Sequence, residues 1–255
     1  MEIRVIGAHN FETRETRHTC FIIDGVIAID AGSIASGCNL DQLNGLEAIL
    51  LTHRHFDHVR DLPTIGIATL ENGHTIDVYA LVETIDTLKK LMDGSLYPDF
   101  TRRPSKANPK FKYHDISSGK PWKMLEYDVV AVDMPHAAPT VGYMIKDARD
   151  VSFGYTGDTG GRLNRLLDAR LTLLAIEITF SNKNSDRAEQ SGHLTPGSFR
   201  AEIIAAQSRG ANLPNFLVVH RNIKFESEIV EEMWDVASDL NLDVTMGEED
   251  MVVSL

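Results

Sequence analysis

The run His53-Arg54-His55-Phe56-Asp57-His58 follows directly on the stretch Glu47 to Thr52, whose centre is continuously apolar. A run of that kind reads as a buried strand. A chain that buries Ala48 to Leu51 must therefore deliver His53 at the strand's end. The spacing of His53 and His55 points both imidazoles to one side of an extended backbone. Asp57 and His58 follow where the chain turns towards a helix. A lone histidine is usually a surface or satisfied core residue. Four side chains of ligand type in one run, behind a buried strand, are specific for a metal. Imidazole and carboxylate together suit zinc, and also manganese or iron.

The remainder of the chain alternates strand and helix signals. Glu2 to Ile6 reads as a short strand. Cys20 to Asp24 and Val26 to Asp30 flank Gly25 and read as a hairpin. Asp61 to Leu70 and Glu83 to Met92 read as helices, with Ile76 to Ala80 a strand between them. Asp93 to Lys120, with Pro98, Pro104 and Pro109, reads as an irregular insertion or lid, not a linker. Strands resume at Val129 to Val132, Gly142 to Ile145, Val151 to Tyr155, Leu171 to Ile176 and Phe216 to Val219. Pro196 to Arg209 and Phe225 to Leu240 read as helices, Pro196 sitting in a first turn. The last residues are expected to form a strand pair. No repeat or low-complexity tract interrupts this order. Strands in both halves, each set followed by helices, predict two packed sheets with helices outside, and one domain over 1–255.

Length and composition bound the function. A chain of 255 residues, 43% hydrophobic, can bury one sizeable core. Its net charge of −12 argues against an extended grip on nucleic acid, which needs clustered cations. A small phosphate ester remains compatible, because bound metal carries its own positive charge. Cys20 and Cys38 belong to no CxxC pair, so a reduced, cytoplasmic setting is the default. Met1 to Ile6 lacks the basic start and apolar segment of a secretory signal. No apolar run approaches a membrane span. A homodimer is the base-rate expectation for assembly.

The His53 to His58 run resembles the metal motif of the metallo-β-lactamase superfamily, and the resemblance covers nearly the whole chain. It implies an αββα sandwich of two mixed sheets flanked by helices. Asp30-Ala31-Gly32 resembles that family's early Asp-x-Gly turn, which supports the metal loop from behind. Three later residues each follow an apolar strand. His136, ahead of Gly142-Tyr143, resembles the third histidine of the ribonuclease Z and phosphodiesterase branch. Asp158, in Thr156-Gly157-Asp158-Thr159, resembles the bridging aspartate, and His220 the last metal histidine. Alone, each suits a turn or cap. Together they imply two divalent ions sharing an attacking hydroxide. His53, His55 and His136 would hold one ion, Asp57, His58 and His220 the other, with Asp158 between them.

Two further stretches narrow the branch. Ile176-Glu177-Ile178-Thr179-Phe180, then Gly192-His193-Leu194-Thr195-Pro196, resembles class II cyclic-nucleotide phosphodiesterases. Ribonuclease Z carries a related order. His193 is a candidate general acid, since imidazole titrates near neutrality. Glu177 is its candidate partner, and a carboxylate there favours the protonated ring. Asp57 counts as both ligand and catalytic residue. Related families place a cation a few positions after the last histidine, which makes Lys224, then Arg221, candidate phosphate contacts. Thr195 joins them as a candidate substrate contact.

The match departs at Phe56, where the phosphodiesterases often carry Leu, and in lacking ribonuclease Z's long Gly- and Pro-rich arm. The implied activity is metal-dependent hydrolysis of a small phosphodiester such as a cyclic nucleotide. The alternatives are a ribonuclease Z-like tRNA 3′-processing nuclease and a hydrolase of carboxylic esters, thioesters or lactams. His9, His18, His74 and His114 fall in expected loops and read as solvated.

Overall fold

The computed structural model describes all 255 residues. In chain order they form β1 (Glu2–Gly7), β2 (Cys20–Ile23), β3 (Ile27–Ile29), α1 (Ile34–Gly37), α2 (Leu40–Asn44), β4 (Ala48–Leu50), α3 (Phe56–Val59), α4 (Leu62–Ala68), β5 (Ile76–Ala80), α5 (Val82–Leu91) and β6 (Phe111–Asp115). There follow β7 (Trp122–Met124), β8 (Tyr127–Met134), β9 (Thr140–Lys146), β10 (Ser152–Tyr155), α6 (Asn164–Leu167), β11 (Leu173–Glu177), α7 (Ser185–Ser191), α8 (Pro196–Ser208), β12 (Asn215–Val219), α9 (Glu226–Leu240), β13 (Val244–Met246) and β14 (Val252–Ser254). The fold comprises two mixed seven-stranded sheets with helices flanking each. It also comprises two compact units. One is Met1–Gly7, Glu12–Ile116 and Glu249–Ser254; the other is Ala8–Phe11, Ser117–Glu248 and Leu255.

In the first unit the sheet order is β14-β1-β2-β3-β4-β5-β6. The β2–β3 hairpin turns at Asp24-Gly25, both with positive φ (47° and 75°), and Val26 N donates to Ile23 O at 3.0 Å. That is the tight turn whose twist matches the flanking strands. Strands β3, β4, β5 and β6 are mutually parallel, so their C-terminal ends share one edge. Asp30 and the His53 run leave that edge. On the helical side, Ile22, Ala28, Ile49 and Val78 pack with Ile34 of α1, Leu43 of α2, Leu62 and Ile65 of α4, and Ile85 and Leu88 of α5. Each fully buried aliphatic side chain there contributes on the order of 1.5–3 kcal/mol of transfer free energy.

The 93–120 segment is irregular only in its first part. Phe111–Asp115 forms the edge strand β6, whose half-exposed pattern hides its signal. Phe100 anchors the irregular part. It is buried, meets Phe111 edge-on at 5.4 Å, and lies where any side chain on Gly66 would clash.

In the second unit the order is β13-β12-β11-β10-β9-β8-β7. Strands β10 to β13 are parallel, and β8 runs the same way because β9 is antiparallel to both its neighbours. The ends of β8, β10, β11 and β12 therefore lie at one edge. They lead into His136, Asp158, Glu177 and His220. Leu174, Ile176, Phe216 and Val218 pack with Leu166 of α6, Phe199 and Ile203 of α8, and Ile229 and Met233 of α9. The expected terminal strand pair does not form. β13 extends the second unit's sheet beside β12, whereas β14 pairs antiparallel with β1. Each closes an exposed strand edge of a different sheet, which stabilises more than a lone two-stranded pair. No helix is long and apolar enough to cross a membrane.

Candidate metal and catalytic site

The first unit gathers His53, His55, Asp57 and His58. The rings of His53 and His55 lie 4.6 Å apart, and those of His53 and His58 4.1 Å apart. His58 Nε2 is 3.5 Å from Asp57 Oδ2. Asp30, fully buried, organises the group from behind. It accepts from His58 Nδ1 at 2.7 Å and from Thr52 N at 2.8 Å. Thr52 Oγ1 donates to the same carboxylate, at 2.9 Å from Oδ2. Its one proton is then spent, so the 3.0 Å contact with His53 Nδ1 must be a donation from the ring. Burial pushes the Asp30 carboxyl up, while His58 and Thr52 oppose that rise.

Gly32 makes this packing feasible. A Cβ there would stand 1.7 Å from Asp57 O and 2.8 Å from His18 Cβ. The Asp30-Ala31-Gly32 turn thus lets the His53–His58 loop lie directly against it. Phe56 is the exception in the run, 69% exposed on α3.

The second unit gathers His136, Asp158, Glu177, His193 and His220. Asp158 stands between two histidines, with Oδ2 3.7 Å from His136 Nε2 and Oδ1 3.4 Å from His220 Nε2. His136 Nδ1 donates to Gly192 O at 2.9 Å. Gly192 ends α7 at φ 73°, and a Cβ on it would sit 3.1 Å from His136 Cα. Only glycine suits both demands. Burial lowers the His136 pKa, with Asp158 opposing, which favours the neutral ring that ligation requires.

Glu177 is buried and ties this group together. Its Oε1 accepts from His193 Nδ1 at 2.8 Å and from Thr159 N at 3.0 Å; its Oε2 accepts from Thr179 Oγ1 at 2.8 Å. With that proton spent, Thr179 Oγ1 accepts from His220 Nδ1, also at 2.8 Å. The His193 and His220 rings are stacked at 5.5 Å. A Thr hydroxyl on a buried carboxylate therefore orients histidines in both units: Thr52 on Asp30, Thr179 on Glu177. In all, His53, His58, His136, His193 and His220 donate through Nδ1 and turn Nε2 to the opposite side of the ring. Such outer partners fix tautomer and orientation in metal-binding histidines. The donor set of imidazole and carboxylate fits a divalent metal.

Three sequence candidates have other surroundings. Arg221 is buried, and its guanidinium donates to Val218 O (2.8 Å) and Glu226 Oε1 (3.1 Å). Burial and those two acceptors take it out of the role of phosphate contact. Thr195 caps α8, where its hydroxyl accepts from Ser198 N at 3.2 Å. Its position before Pro196 at a helix start is what demands that cap. Lys224 is exposed, with Nζ 5.6 Å from the Phe11 ring centroid.

Of the four histidines read as solvated, three are engaged through their side chains and the fourth, His18, is buried. His9 is buried and bonds Glu226 at 2.9 Å. His74 bonds Leu46 O at 3.0 Å. His114 lies in β6, bonds Asp77 at 2.6 Å and stacks on Tyr79. His18 is buried in the first unit, and burial lowers its pKa against the pull of Asp57. Sequence reasoning missed Thr52 and Thr179. The i, i+2 spacing of Glu177 and Thr179 at a strand end was the available signal.

Residues 21–220 match the family model described as the beta-lactamase superfamily domain. The chain belongs to that superfamily and has the metallo-β-lactamase fold. Among individual relatives, a ribonuclease Z from Mycobacterium sp. (strain KMS) is 29% identical over 134 residues. That match spans 46% of this chain and 44% of the relative, so the chain covers under half of that protein's length. Among solved structures, unliganded yeast PDE1 superposes with a TM-score of 0.82 at 18% identity, covering 100% of this chain and 99% of that one. The short form of human tRNase Z gives a TM-score of 0.74 at 17% identity, covering 100% and 99%.

Proposed function

We propose that the chain is a divalent-metal-dependent hydrolase of phosphodiesters, acting on a cyclic nucleotide or a similar small diester. The observation that carries this reading is the His193–Glu177 bond beside His220, with Asp158 facing both His220 and His136. His53, His55, Asp57 and His58 of the first unit and His136, Asp158 and His220 of the second are the residues that would hold divalent metal. Bound divalent ions neutralise the diester's charge and acidify a water. Glu177 fixes the His193 ring through Nδ1, which leaves Nε2 as the atom that carries a proton to the leaving oxygen. Lys224 is the exposed cation available to a substrate phosphate.

The test is hydrolysis of 3′,5′-cyclic AMP and bis(p-nitrophenyl) phosphate by protein loaded with zinc or manganese. Turnover of both, lost in His193→Ala with metal content retained, supports the reading. Silence on both, with metal bound, overturns it in favour of carboxylic ester, thioester or lactam hydrolysis. A second reading, a ribonuclease Z-like nuclease, is favoured by the match to the mycobacterial protein. Cleavage of precursor tRNA with steeply salt-dependent binding identifies it.

A further inference from the structure

His220 sits at the end of β12 with φ 59°, a left-handed conformation unfavourable for a residue with a Cβ. Its carbonyl and ring both meet Thr179, but the chain direction beyond it is set elsewhere. The N-terminal chain contributes the short segment Ala8–Phe11 to this unit. There Arg221 N donates to Ala8 O, and Asn10 N donates to Arg221 O, both at 3.2 Å. His9 and Arg221 thus form an isolated parallel bridge, one residue past His220.

The side chains lock the same joint. His9 Nε2 bonds Glu226 Oε1 at 2.9 Å, and Arg221 Nε donates to the same oxygen at 3.1 Å. Arg221 Nη1 reaches back to Val218 O at 2.8 Å, two residues before His220. Glu226 opens α9, so the network clamps the strand end, the turn and the helix start together. Two residues past His9, Phe11 places its ring under Lys224.

We propose that Ala8–Phe11 is a positioning strap: His9 holds His220 in its left-handed pose through Glu226 and Arg221, and Phe11 seats Lys224. The strap rests on the reading of His220 as a metal ligand and Lys224 as a phosphate contact. It touches neither the metal nor the reacting atoms itself. Losing a residue bonded directly to a metal ligand weakens metal binding about 10- to 100-fold, and His9, acting through Glu226 and Arg221, belongs at the lower end of that range. Losing an exposed cation–π contact weakens ligand binding about 2- to 5-fold.

The experiment titrates zinc into the full chain against a competing chelator, for wild type, His9→Leu and His9→Gln. The Gln amide nitrogen reproduces the Nε2 donor. The expected result is that His9→Leu weakens one of two zinc equivalents about 10-fold or more, the other unchanged, and that His9→Gln restores it. A general loss of structure would weaken both equivalents, and that result overturns the strap. So does wild-type affinity at both sites in His9→Leu. A wild-type chain that takes up no zinc overturns the metal reading, and the strap with it. If His9→Leu fails to fold, the exposed Phe11→Ala decides. A KM for bis(p-nitrophenyl) phosphate raised about 2- to 5-fold, against a small change in kcat, supports the strap. An unaltered KM overturns it.

Discussion

Thr179→Val is the sharpest perturbation the structure offers. Valine keeps the shape of threonine and removes one oxygen. That oxygen lies 2.8 Å from Glu177 Oε2 and 2.8 Å from His220 Nδ1, and both Thr179 and Glu177 are fully buried. A hydrogen bond to a charged group contributes about 1.5–3 kcal/mol, and a stranded buried donor costs about 1–3 kcal/mol. The two losses share one hydroxyl and are not additive, so the net cost is about 2–4 kcal/mol. For a chain of this size each kcal/mol moves the melting temperature about 2–4 °C, which gives a fall of about 5–15 °C. Calorimetry of the metal-free protein reads it directly. Thr179→Ser retains the hydroxyl and is expected to recover most of the loss. Metal-loaded Thr179→Val should also lose diester turnover, because His193 and His220 depend on the same oxygen. A melting temperature within 1 °C of wild type, at roughly a fraction of 1 kcal/mol, would refute the relay from His220 through Thr179 to Glu177.

Other outcomes follow from single contacts. Gly32→Ala drives a methyl into Asp57 O, so melting should fall by about 8 °C or more, checked by the same calorimetry. Burial alone would raise the Glu226 carboxyl, but its bonds to His9 and Arg221 prevail and hold it below the ordinary 4.5. Its stabilising contribution is therefore present above pH 4.5 and lost as pH falls through the folded value. The melting gap between wild type and Glu226→Gln should narrow as the scan moves from neutral to acid below pH 4.5, and a gap constant with pH would contradict this. Zinc at a hundredfold excess over its dissociation constant should stabilise the chain by about 2.7 kcal/mol per site, reversed by a chelator in thermal scans.

Much of this architecture was legible because histidine and carboxylate side chains follow buried strands. Leu50 precedes the His53 run, Tyr155 precedes Asp158, and Val219 precedes His220, so apolar periodicity and reactive side chains mark the same places. The two sheets and their flanking helices followed from the same alternation. Partnership over long sequence distance was not legible. His9 finds Glu226 across 217 positions, and no local pattern announces that pair. The fates of β13 and β14 depend on which sheet edge each can cover, a choice made by tertiary packing. β6 was hidden because Phe111-Lys112-Tyr113-His114-Asp115 reads as polar loop, yet it needs only one buried side to pair with β5. Arg221 looked like a ligand for phosphate because charge is visible in sequence and burial is not.

The common direction of β8, β10, β11 and β12 leaves the second sheet with a silent rim. At that opposite end lie the turn Asp147–Asp150, between β9 and β10, and the Leu125–Glu126 corner between β7 and β8. Both are built from locally bonded, largely exposed residues; Arg149 pairs with Asp147, two positions away. An affinity tag, a fluorophore or an entire inserted domain could be spliced there while the chemistry-bearing rim keeps its geometry. The molecule thus carries a built-in handle, separated from its reactive face by the length of its own strands.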